Sequence, residues 1–492
     1  MLRPHSYACG QWIAPGQTAT DISGPVTGQV IAQAGGAALD MQAMLDHARN
    51  IGGPALRAMG FHDRARLLKA LAAYLDAHKD QLYAINPLTG ATRRDGWVDI
   101  DGGIGTMGLF AAKGRREMPD GQVYIDGEVE QLSRKGSFLG QHIAVPLQGV
   151  AVQINAFNFP VWGMLEKLAP ALLAGMPSII KPATQTCYLT EACFRLIIDS
   201  GILPEGAVQL VIGRAGDLLN RLGAQDVVAF TGSADTALML RANPALLRHS
   251  TRFMAEQDSL NASILGPDAG TDSAEFELFI KEAVTEITTK AGQKCTATRR
   301  LIVPAAMMDA VGTALSEKLA AITVGNPEAD GVRMGALSSQ TQKADVLARL
   351  TQLRTEARLI HGDPAQMSLV DADPEQAFLP PMLLVCDDPD AARLVHEVEA
   401  FGPLSTLMPY RDTAHAAALA NRGGGSLVSS LFTADPAVAR SVVLDSAAWH
   451  GRIYINNATS AAEATGHGSP LPHMIHGGPG RAGGGEELGG IR

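Results

Sequence analysis

The sequence is poor in cysteine, in aromatic residues and in positive charge. Five cysteines occur among 492 residues, without the close spacing that would indicate a metal site or a disulfide framework, so we expect no metal. The number of cysteines is odd, and the N-terminus lacks the continuous apolar segment of a signal peptide. Both features predict a reducing, cytoplasmic location. Aromatic residues make up 5%, and the formal net charge of −10 argues against nucleic acid as a partner.

Long apolar runs are also missing, which argues against a membrane span. The longest candidate, residues 161–180, contains Glu166 and Lys167 and is interrupted by Pro170 and Pro177. We therefore expect no membrane partner.

What the chain does contain is typical of a large α/β enzyme. Apolar residues make up 46%, and 52 glycines and 27 prolines imply many tight turns. The length exceeds what a single hydrophobic core usually serves, so two or three domains are expected.

Short apolar runs alternate with helical periodicity from residue 149 to about residue 445, after a mainly helical region at 60–120. This alternation predicts right-handed crossovers and a parallel sheet covered on both faces, with a nucleotide site at the carboxyl ends of its strands. The predicted strands are 149–155, 178–181, 207–212, 227–230 and 300–303, and the predicted helices are 164–173, 189–200, 216–222 and 308–321.

Two segments stand apart from this alternation. Residues 122–143 carry apolar residues among polar ones and predict an exposed ribbon, either a surface loop or an oligomerisation arm. Residues 103–108 match the dinucleotide pattern G-x-G-x-x-G, but a helical segment precedes them instead of a strand. We interpret that match as accidental.

Cys295 is the first candidate for chemistry. It lies between Lys294 and Thr296, and a neighbouring cation lowers the pKa of a thiol. A buried, inert cysteine is the alternative interpretation. Glu256 lies upstream, and a nucleophilic thiol with a carboxylate that activates water suffices to form and hydrolyse a thioester.

Six segments, taken in order, resemble the aldehyde dehydrogenase family over nearly the whole chain. They are Ala156-Phe157-Asn158-Phe159-Pro160, Ile180-Lys181-Pro182-Ala183-Thr184, Phe230-Thr231-Gly232-Ser233, the segments around Glu256 and Cys295, and Glu399-Ala400-Phe401-Gly402-Pro403. The resemblance implies an α/β fold with a parallel-sheet cofactor domain (1–120 and 148–256) and an α/β catalytic domain (257–474). It also implies a small oligomerisation arm with a C-terminal segment (121–147 and 475–492), and hence a homodimer or higher homo-oligomer.

Catalytic roles follow from the same resemblance. Cys295 would attack the aldehyde, and the Asn158 amide and the Cys295 backbone N–H would donate to the oxyanion. Glu256 would activate the hydrolytic water, with Asp258 as the competing carboxylate. Family members that pass the acyl group to coenzyme A typically lack the carboxylate at 256, so a free acid is expected as product.

The resemblance further implies a cofactor site, in which Lys181 holds the adenosine ribose, Ser233 the pyrophosphate and Glu399 the nicotinamide ribose. For Lys181 and Glu399 an ordinary surface charge is the alternative. The full set implied for the cofactor is Phe157, Lys181, Thr184, Gly232, Ser233, Glu399 and Phe401, with Phe401 against the nicotinamide.

Two departures from the family pattern carry information. Thr184 occupies the position at which NAD-preferring members place a glutamate on the adenosine 2′-hydroxyl, and a hydroxyl there can donate to a 2′-phosphate. NADP is therefore the expected cofactor, with NAD as the alternative. Ala237 replaces a usual glycine, so we expect its helix to approach the sheet less closely.

The sequences of several segments are similar to one branch of the family. Members of that branch oxidise coenzyme A-linked semialdehydes with NADP during phenylacetate and benzoate degradation. These segments include residues 97–106, 258–261, 465–472 and 476–490. The implied partner is a small-molecule aldehyde linked to coenzyme A. Another aldehyde substrate and an inactive structural homologue are the alternatives, and His467 and His473 are either structural or face the substrate.

Overall fold

Two seven-stranded sheets organise residues 1–486, which are the residues that this computed structural model describes. In chain order the strands are β1 (Ser6–Ala8), β2 (Gln11–Ile13), β3 (Thr20–Ser23), β4 (Val30–Ala34), β5 (Tyr124–Gln131), β6 (Leu139–Ala144), β7 (Ala151–Ile154), β8 (Ser178–Lys181), β9 (Val208–Leu210), β10 (Val227–Thr231), β11 (Arg252–Glu256), β12 (Ala262–Leu265), β13 (Arg300–Pro304), β14 (Arg358–His361), β15 (Met382–Val385), β16 (Leu404–Tyr410), β17 (Ser426–Phe432), β18 (His450–Asn456), β19 (Gly477–Gly478) and β20 (Gly485–Glu486). The helices are α1 (Met41–His47), α2 (Gly53–Arg57), α3 (Phe61–His78), α4 (Asp80–Tyr83), α5 (Arg93–Gly96), α6 (Gly102–Glu117), α7 (Trp162–Leu173), α8 (Cys187–Asp199), α9 (Ala234–Arg241), α10 (Pro244–His249), α11 (Ala274–Thr288), α12 (Met308–Ala320), α13 (Gln340–Leu353), α14 (Thr413–Asn421) and α15 (Pro436–Ser446). The predicted α/β class is confirmed.

The first sheet has the strand order β11-β10-β7-β8-β9-β1-β2. Strands β7 to β9 succeed one another in one direction, whereas β10 and β11 lie on the other side of β7, and all five are parallel. The order therefore reverses between β7 and β10, which is where an open α/β sheet opens a crevice for a ligand.

The second sheet has the order β14-β15-β16-β13-β12-β17-β18, with only its edge strand β14 antiparallel. Helices α11 and α12 cover one face, with Phe279 and Leu315 in the core. Helices α13 and α14 cover the other, with Val346 and Leu419. Burial on both faces explains the apolar runs of the inner strands β13 and β15.

Three helices in the first half pack as a layer against the first sheet. On α3, Leu68, Leu71 and Leu75 recur at helical spacing, lie on one face and are fully buried. They share a core with α6 and α7, including Phe110 and Leu168. This arrangement confirms the helical periodicity of residues 60–120.

Residues 124–144 form an antiparallel two-stranded ribbon, β5 with β6. Its apolar side chains face outward: Ile125 is 61% exposed and Phe138 64% exposed. The segment is therefore an ordered ribbon and not an irregular loop. Its role in self-association stays a prediction.

Most sequence-predicted elements appear within a few residues of their expected bounds, but one predicted helix was wrong and one strand of the first sheet was not predicted. The helix expected at 216–222 is a single tight turn at Leu218–Arg221, since Gly216 has a left-handed φ of 55° that a helix cannot continue. Strand β11, with charged residues at both ends, was missed. The G-x-G-x-x-G match lies inside α6, which confirms that it is accidental.

The C-terminal segment lies beside the sheets as far as residue 486. Strands β19 and β20 pair with each other and contact β11 and β17. The predicted segment 475–492 extends further, and residues 487–492 lie outside the described residues. None of the helices within residues 1–486 combines the length and apolar character that a membrane crossing requires.

Candidate active site

Segments from both sheets meet in one cavity. The Asn158 loop follows β7, Thr231 ends β10 and Glu256 ends β11, all at the carboxyl edge of the first sheet. The Cys295 loop comes from the second half of the chain, just before β13. Asn158, Thr231, Glu256 and Cys295 line this cavity together with His476.

The backbone before Cys295 is unusual, because Lys290, Ala291 and Gly292 all have left-handed φ values, of 55°, 51° and 68°. Left-handed non-glycine residues cost of order 1–3 kcal/mol each and persist only when their surroundings hold them. The Asp95 carboxylate accepts from the Lys290 N–H at 2.6 Å. A Cβ on residue 292 would lie 2.1 Å from the Gly402 carbonyl oxygen, so glycine is required there.

Asn261 holds the nucleophile loop from the other side. Its amide donates to the carbonyls of Cys295 at 2.8 Å and Ala297 at 3.0 Å. Its oxygen accepts from the Ser259 hydroxyl at 2.6 Å and from the Val428 N–H at 3.1 Å. Sequence reasoning quoted this residue without assigning it a role, and the structure places it as the anchor of the Cys295 loop.

Cys295, His476 and Glu256 form the centre of the cavity. The His476 Nε2 lies 3.9 Å from the Cys295 Sγ and 3.2 Å from a Glu256 carboxylate oxygen, Oε1. The other carboxylate oxygen accepts from the Thr231 hydroxyl at 3.3 Å. Glu256 and His476 are buried, with side chains 1% and 6% exposed, whereas Cys295 is partly open.

His476 was missed as a site residue. The segment 476–490 was noted as similar to one branch of the family. Nothing in its sequence indicated that it lies close to residues 256 and 295. The competing carboxylate Asp258 lies elsewhere: it accepts from the Ala234 N–H at 3.0 Å and so caps α9.

Asn158 lies at the cavity wall, 6% exposed, with its amide nitrogen donating to the Gln293 carbonyl at 3.0 Å. This contact orients the side chain beside the Cys295 loop. An amide nitrogen carries two hydrogens, so one bond leaves a second donor.

Lys294, the cation predicted to lower the pKa of Cys295, is neutralised by a carboxylate. The Lys294 ammonium lies 2.7 Å from a Glu286 oxygen in a buried salt bridge. A second buried pair, Lys167 with Glu166 at 3.7 Å, also lines the cavity. Burial raises the pKa of the Glu166 carboxyl, and Lys167 opposes that shift. Neither lysine is a free positive charge next to the thiol.

The two histidines left open by the sequence have different positions. His467 is buried, and its ring nitrogens contact the Ser430 hydroxyl and the Thr296 carbonyl oxygen. Burial lowers its pKa to about 4, so it is a neutral structural residue. His473 is exposed and lies next to Arg116.

A cleft of about 1650 Å³ opens at the carboxyl ends of β8 and β9 and contains Lys181, Thr184 and Arg214. Its volume exceeds that of ordinary small-molecule pockets, and it lies where open α/β sheets bind nucleotides, but Ser233, Glu399 and Phe401 are not among its lining residues. Burial lowers the pKa of the Lys181 ammonium. The sequence did not identify Arg214, which lies in the loop after β9.

Gly232 and Ser233 connect β10 to α9. The Ser233 hydroxyl caps the helix by accepting from the Thr236 N–H at 3.3 Å. A Cβ on Gly232 would lie 2.6 Å from the Phe230 ring. Ala237 is fully buried against Phe230, so the helix accommodates its methyl group.

Glu399 and Phe401 belong to the segment that contacts the Cys295 loop. Glu399 is buried, accepts from the Ser259 N–H at 3.1 Å and pairs with Arg299 at 3.4 Å, so it is not a surface charge. Burial raises its pKa to about 7, although Arg299 opposes the shift. The Phe401 ring meets the Phe157 ring edge-on at 5.9 Å, which brings two of the residues implied for the cofactor together.

Arg299 ties the loops together. Its guanidinium donates to the Gly402 carbonyl at 2.8 Å and to the Gly292 carbonyl at 3.0 Å. The nucleophile loop and the segment 399–403 are therefore cross-linked by one side chain that sequence reasoning had not singled out.

Comparisons with known proteins identify the family and the fold. The model of the aldehyde dehydrogenase family matches residues 12–489. The chain is 44% identical over 476 residues to a 3,4-dehydroadipyl-CoA semialdehyde dehydrogenase of Aromatoleum evansii, covering 96% of this chain and 92% of that protein. It is 52% identical over 160 residues to the protein MaoC of Klebsiella aerogenes, covering 32% of this chain and 46% of that protein. The solved structure of a betaine aldehyde dehydrogenase from Staphylococcus aureus in complex with NAD+ superposes with a TM-score of 0.84 at 23% identity, covering 99% of this chain and 92% of that one.

Proposed function

Because this chain belongs to the aldehyde dehydrogenase family, we propose that it oxidises a coenzyme A-linked semialdehyde to the carboxylic acid with NADP. The observation that carries the proposal is the convergence of Cys295, Glu256 and Asn158 in one cavity. The extended identity to a relative named for a coenzyme A semialdehyde supports the substrate class.

Cys295 acts as the nucleophile in this proposal. Its thiolate sulfur forms a bond to the aldehyde carbon, and the carbonyl π electrons move to the oxygen. The second N–H of the Asn158 amide and the Cys295 backbone N–H donate to that oxyanion, and removing one such donor costs on the order of 10²–10³ in rate.

His476 is positioned to take up the thiol proton, because its Nε2 lies 3.9 Å from the sulfur. An imidazolium at this position also faces the Glu256 carboxylate at 3.2 Å, so it stabilises two anions at once. This arrangement replaces the role first expected of Lys294, whose charge is compensated by Glu286.

NADP, when bound, supplies the hydride acceptor for the oxidation. The Cys295 thioester is then hydrolysed by water from which Glu256 removes a proton, and the sulfur leaves as thiolate. Glu256 is buried at the end of β11 and held by Thr231, so its carboxylate is preorganised for this step.

Lys181, Thr184 and Arg214 would hold the adenosine end of NADP, since all three line the cleft at the carboxyl ends of β8 and β9. A hydroxyl and two cations suit a 2′-phosphate, whereas a carboxylate at position 184 would repel it. Phe157, Gly232, Ser233, Glu399 and Phe401 complete the proposed cofactor site.

The proposal extends to assembly and location. The exposed apolar side chains of the ribbon, such as Ile125 and Phe138, would be covered in a homo-oligomer. None of the five cysteines, all of which lie within residues 1–486, forms a disulfide in the structure, which suits the reducing cytoplasm.

The test is an aldehyde panel with and without the coenzyme A moiety, followed by NADPH absorbance. We expect kcat/KM to be highest for coenzyme A-linked semialdehydes and turnover to vanish in Cys295→Ala, with NADP binding retained. Equal kcat/KM for the free aldehydes would remove the substrate assignment, and turnover in Cys295→Ala would remove the covalent mechanism.

A further inference from the structure

Three side chains at the centre of the cavity have the composition of a zinc site. Cys295, Glu256 and His476 each present one ligand atom, a sulfur, a carboxylate oxygen and an imidazole nitrogen, and these atoms all lie within 4.8 Å of one another. Sulfur, nitrogen and oxygen ligands of this kind are those that Zn²⁺ takes in proteins. The expectation of no metal rested on the lack of closely spaced cysteines. These three residues are far apart in the sequence, so that criterion could not find them.

The distances suit a tetrahedral ion. Zinc with bonds of about 2.3 Å to sulfur and about 2.0 Å to nitrogen and oxygen separates its ligand atoms by roughly 3.3–3.6 Å. The Sγ–Nε2 distance is 3.9 Å and the Nε2–Oε1 distance is 3.2 Å. The Sγ–Nε2 distance exceeds this range by about 0.3 Å, so binding would require a small shift of the Cys295 side chain.

The three ligands are held by separate parts of the fold. Glu256 ends a parallel strand, His476 directly precedes β19, and the Cys295 carbonyl accepts from Asn261 at 2.8 Å. Preorganised ligands lose little conformational freedom on binding, which favours affinity.

The charge of the surroundings permits a dication. A thiolate and a carboxylate neutralise Zn²⁺, and the cavity's lysines are already matched, Lys294 by Glu286 at 2.7 Å and Lys167 by Glu166 at 3.7 Å. Arg452, which interacts with Cys295 and Glu256, opposes the dication with one further positive charge.

We propose that Zn²⁺ binds to Cys295, Glu256 and His476 and reversibly inhibits the enzyme. Binding replaces the thiol proton by the metal, so a zinc thiolate forms and the proton is released to solvent. Inhibition follows because the metal occupies the nucleophile and the base together. This inhibitory consequence rests on the proposed function, whereas the binding does not.

The test measures zinc binding without aldehyde, by equilibrium dialysis of the purified chain against ZnCl₂. We expect one Zn²⁺ per chain and a dissociation constant that rises more than about 100-fold in His476→Phe and in Cys295→Ser, since losing a ligand exceeds the 10–100-fold effect of losing a supporting residue. His473→Phe is the matched control, because His473 is exposed and lies three positions upstream, and its zinc affinity should equal that of the wild type. Melting temperature and NADP binding report whether each variant is folded.

Cobalt spectroscopy of the wild type keeps the proposal testable even if a variant unfolds. Co²⁺ at this site should give a thiolate-to-metal charge-transfer band, and its absence would overturn the proposal. Equal zinc affinity in His476→Phe and His473→Phe would do the same, because the metal would then lie elsewhere. Zinc should also abolish turnover, and unaffected turnover with zinc bound would overturn the inhibition. A wild type that oxidises no aldehyde would refute the proposed function while the dialysis and cobalt results still decide the zinc site.

Discussion

Replacing Asn261 by alanine should destabilise the chain strongly and displace its nucleophile. The side chain is fully buried and makes four hydrogen bonds, to Cys295, Ala297, Ser259 and Val428. Each lost hydrogen bond costs about 1 kcal/mol net. The partner groups stay buried in the variant, so they cannot form replacement hydrogen bonds with water. We expect a loss of about 4 kcal/mol in the free energy of unfolding.

That loss corresponds to a modest change in melting temperature, because the unfolding entropy of a long chain is large. With about 2.1 cal/mol/K per residue, 4 kcal/mol lowers the midpoint by roughly 4 °C. Activity should fall further, since misplacing a reacting atom by about 1 Å costs on the order of 10²-fold in rate.

Two variants separate stability from positioning. Asn261→Asp keeps the acceptor for Ser259 and Val428 but turns a carboxylate oxygen toward the Cys295 carbonyl, so kcat should fall as in the alanine variant. Asn220→Ala is the control, because Asn220 is exposed and accepts from Asn243 at 2.8 Å, and we expect a change within about 0.5 kcal/mol. A destabilisation of Asn261→Ala below about 1 kcal/mol with unchanged kcat would show that the contacts to the Cys295 loop do not position the thiol.

Three further perturbations address the base, the cofactor and the pH dependence. Glu256→Gln should give a single-turnover burst of NADPH and then near-zero steady state, since deacylation loses its base; loss of the burst as well would mean that Glu256 also activates the thiol. Thr184→Glu should lower the ratio of kcat/KM for NADP over NAD by roughly 10²-fold, and an unchanged ratio would remove Thr184 from specificity. Burial and Glu286 raise the pKa of Glu282 to about 7. Between pH about 4.5 and pH about 7 the folded chain therefore keeps a proton that the unfolded chain has lost. Ionisation of Glu282 destabilises the fold increasingly as the pH rises through this range. Glu282→Gln should therefore match the wild type near pH 4.5 and be more stable at pH 8 by on the order of 2–3 kcal/mol; equal stability at pH 8 in a urea titration would contradict the raised pKa.

The sheets were predictable where strands are short, apolar and buried on both faces. β8 was predicted at its observed bounds and β10 within one residue, because continuous apolar runs bounded by turns have few other solutions. β11 was not, since Arg252 and Glu256 at its ends resemble a surface segment. Its place in the sheet depends on parallel pairing with β10, which no local sequence pattern indicates.

The site shows the same division. Cys295, Glu256 and Asn158 could be proposed from the sequence because each lies in a short motif that resembles the aldehyde dehydrogenase family. His476 contacts a sulfur 181 positions away along the chain, and Arg299 a carbonyl 103 positions away. Such roles arise from the close approach of distant loops, so they require the fold.

The left-handed turn before Cys295 has a consequence for biosynthesis. Its conformation depends on Asp95, synthesised long before it, and on the Gly402 backbone, synthesised long after it. When residue 295 has just been synthesised, the backbone at Gly402 that packs against the turn has therefore not yet been made. The loop that carries the nucleophile can therefore adopt this geometry only after residues 399–403 have been synthesised and have packed against it.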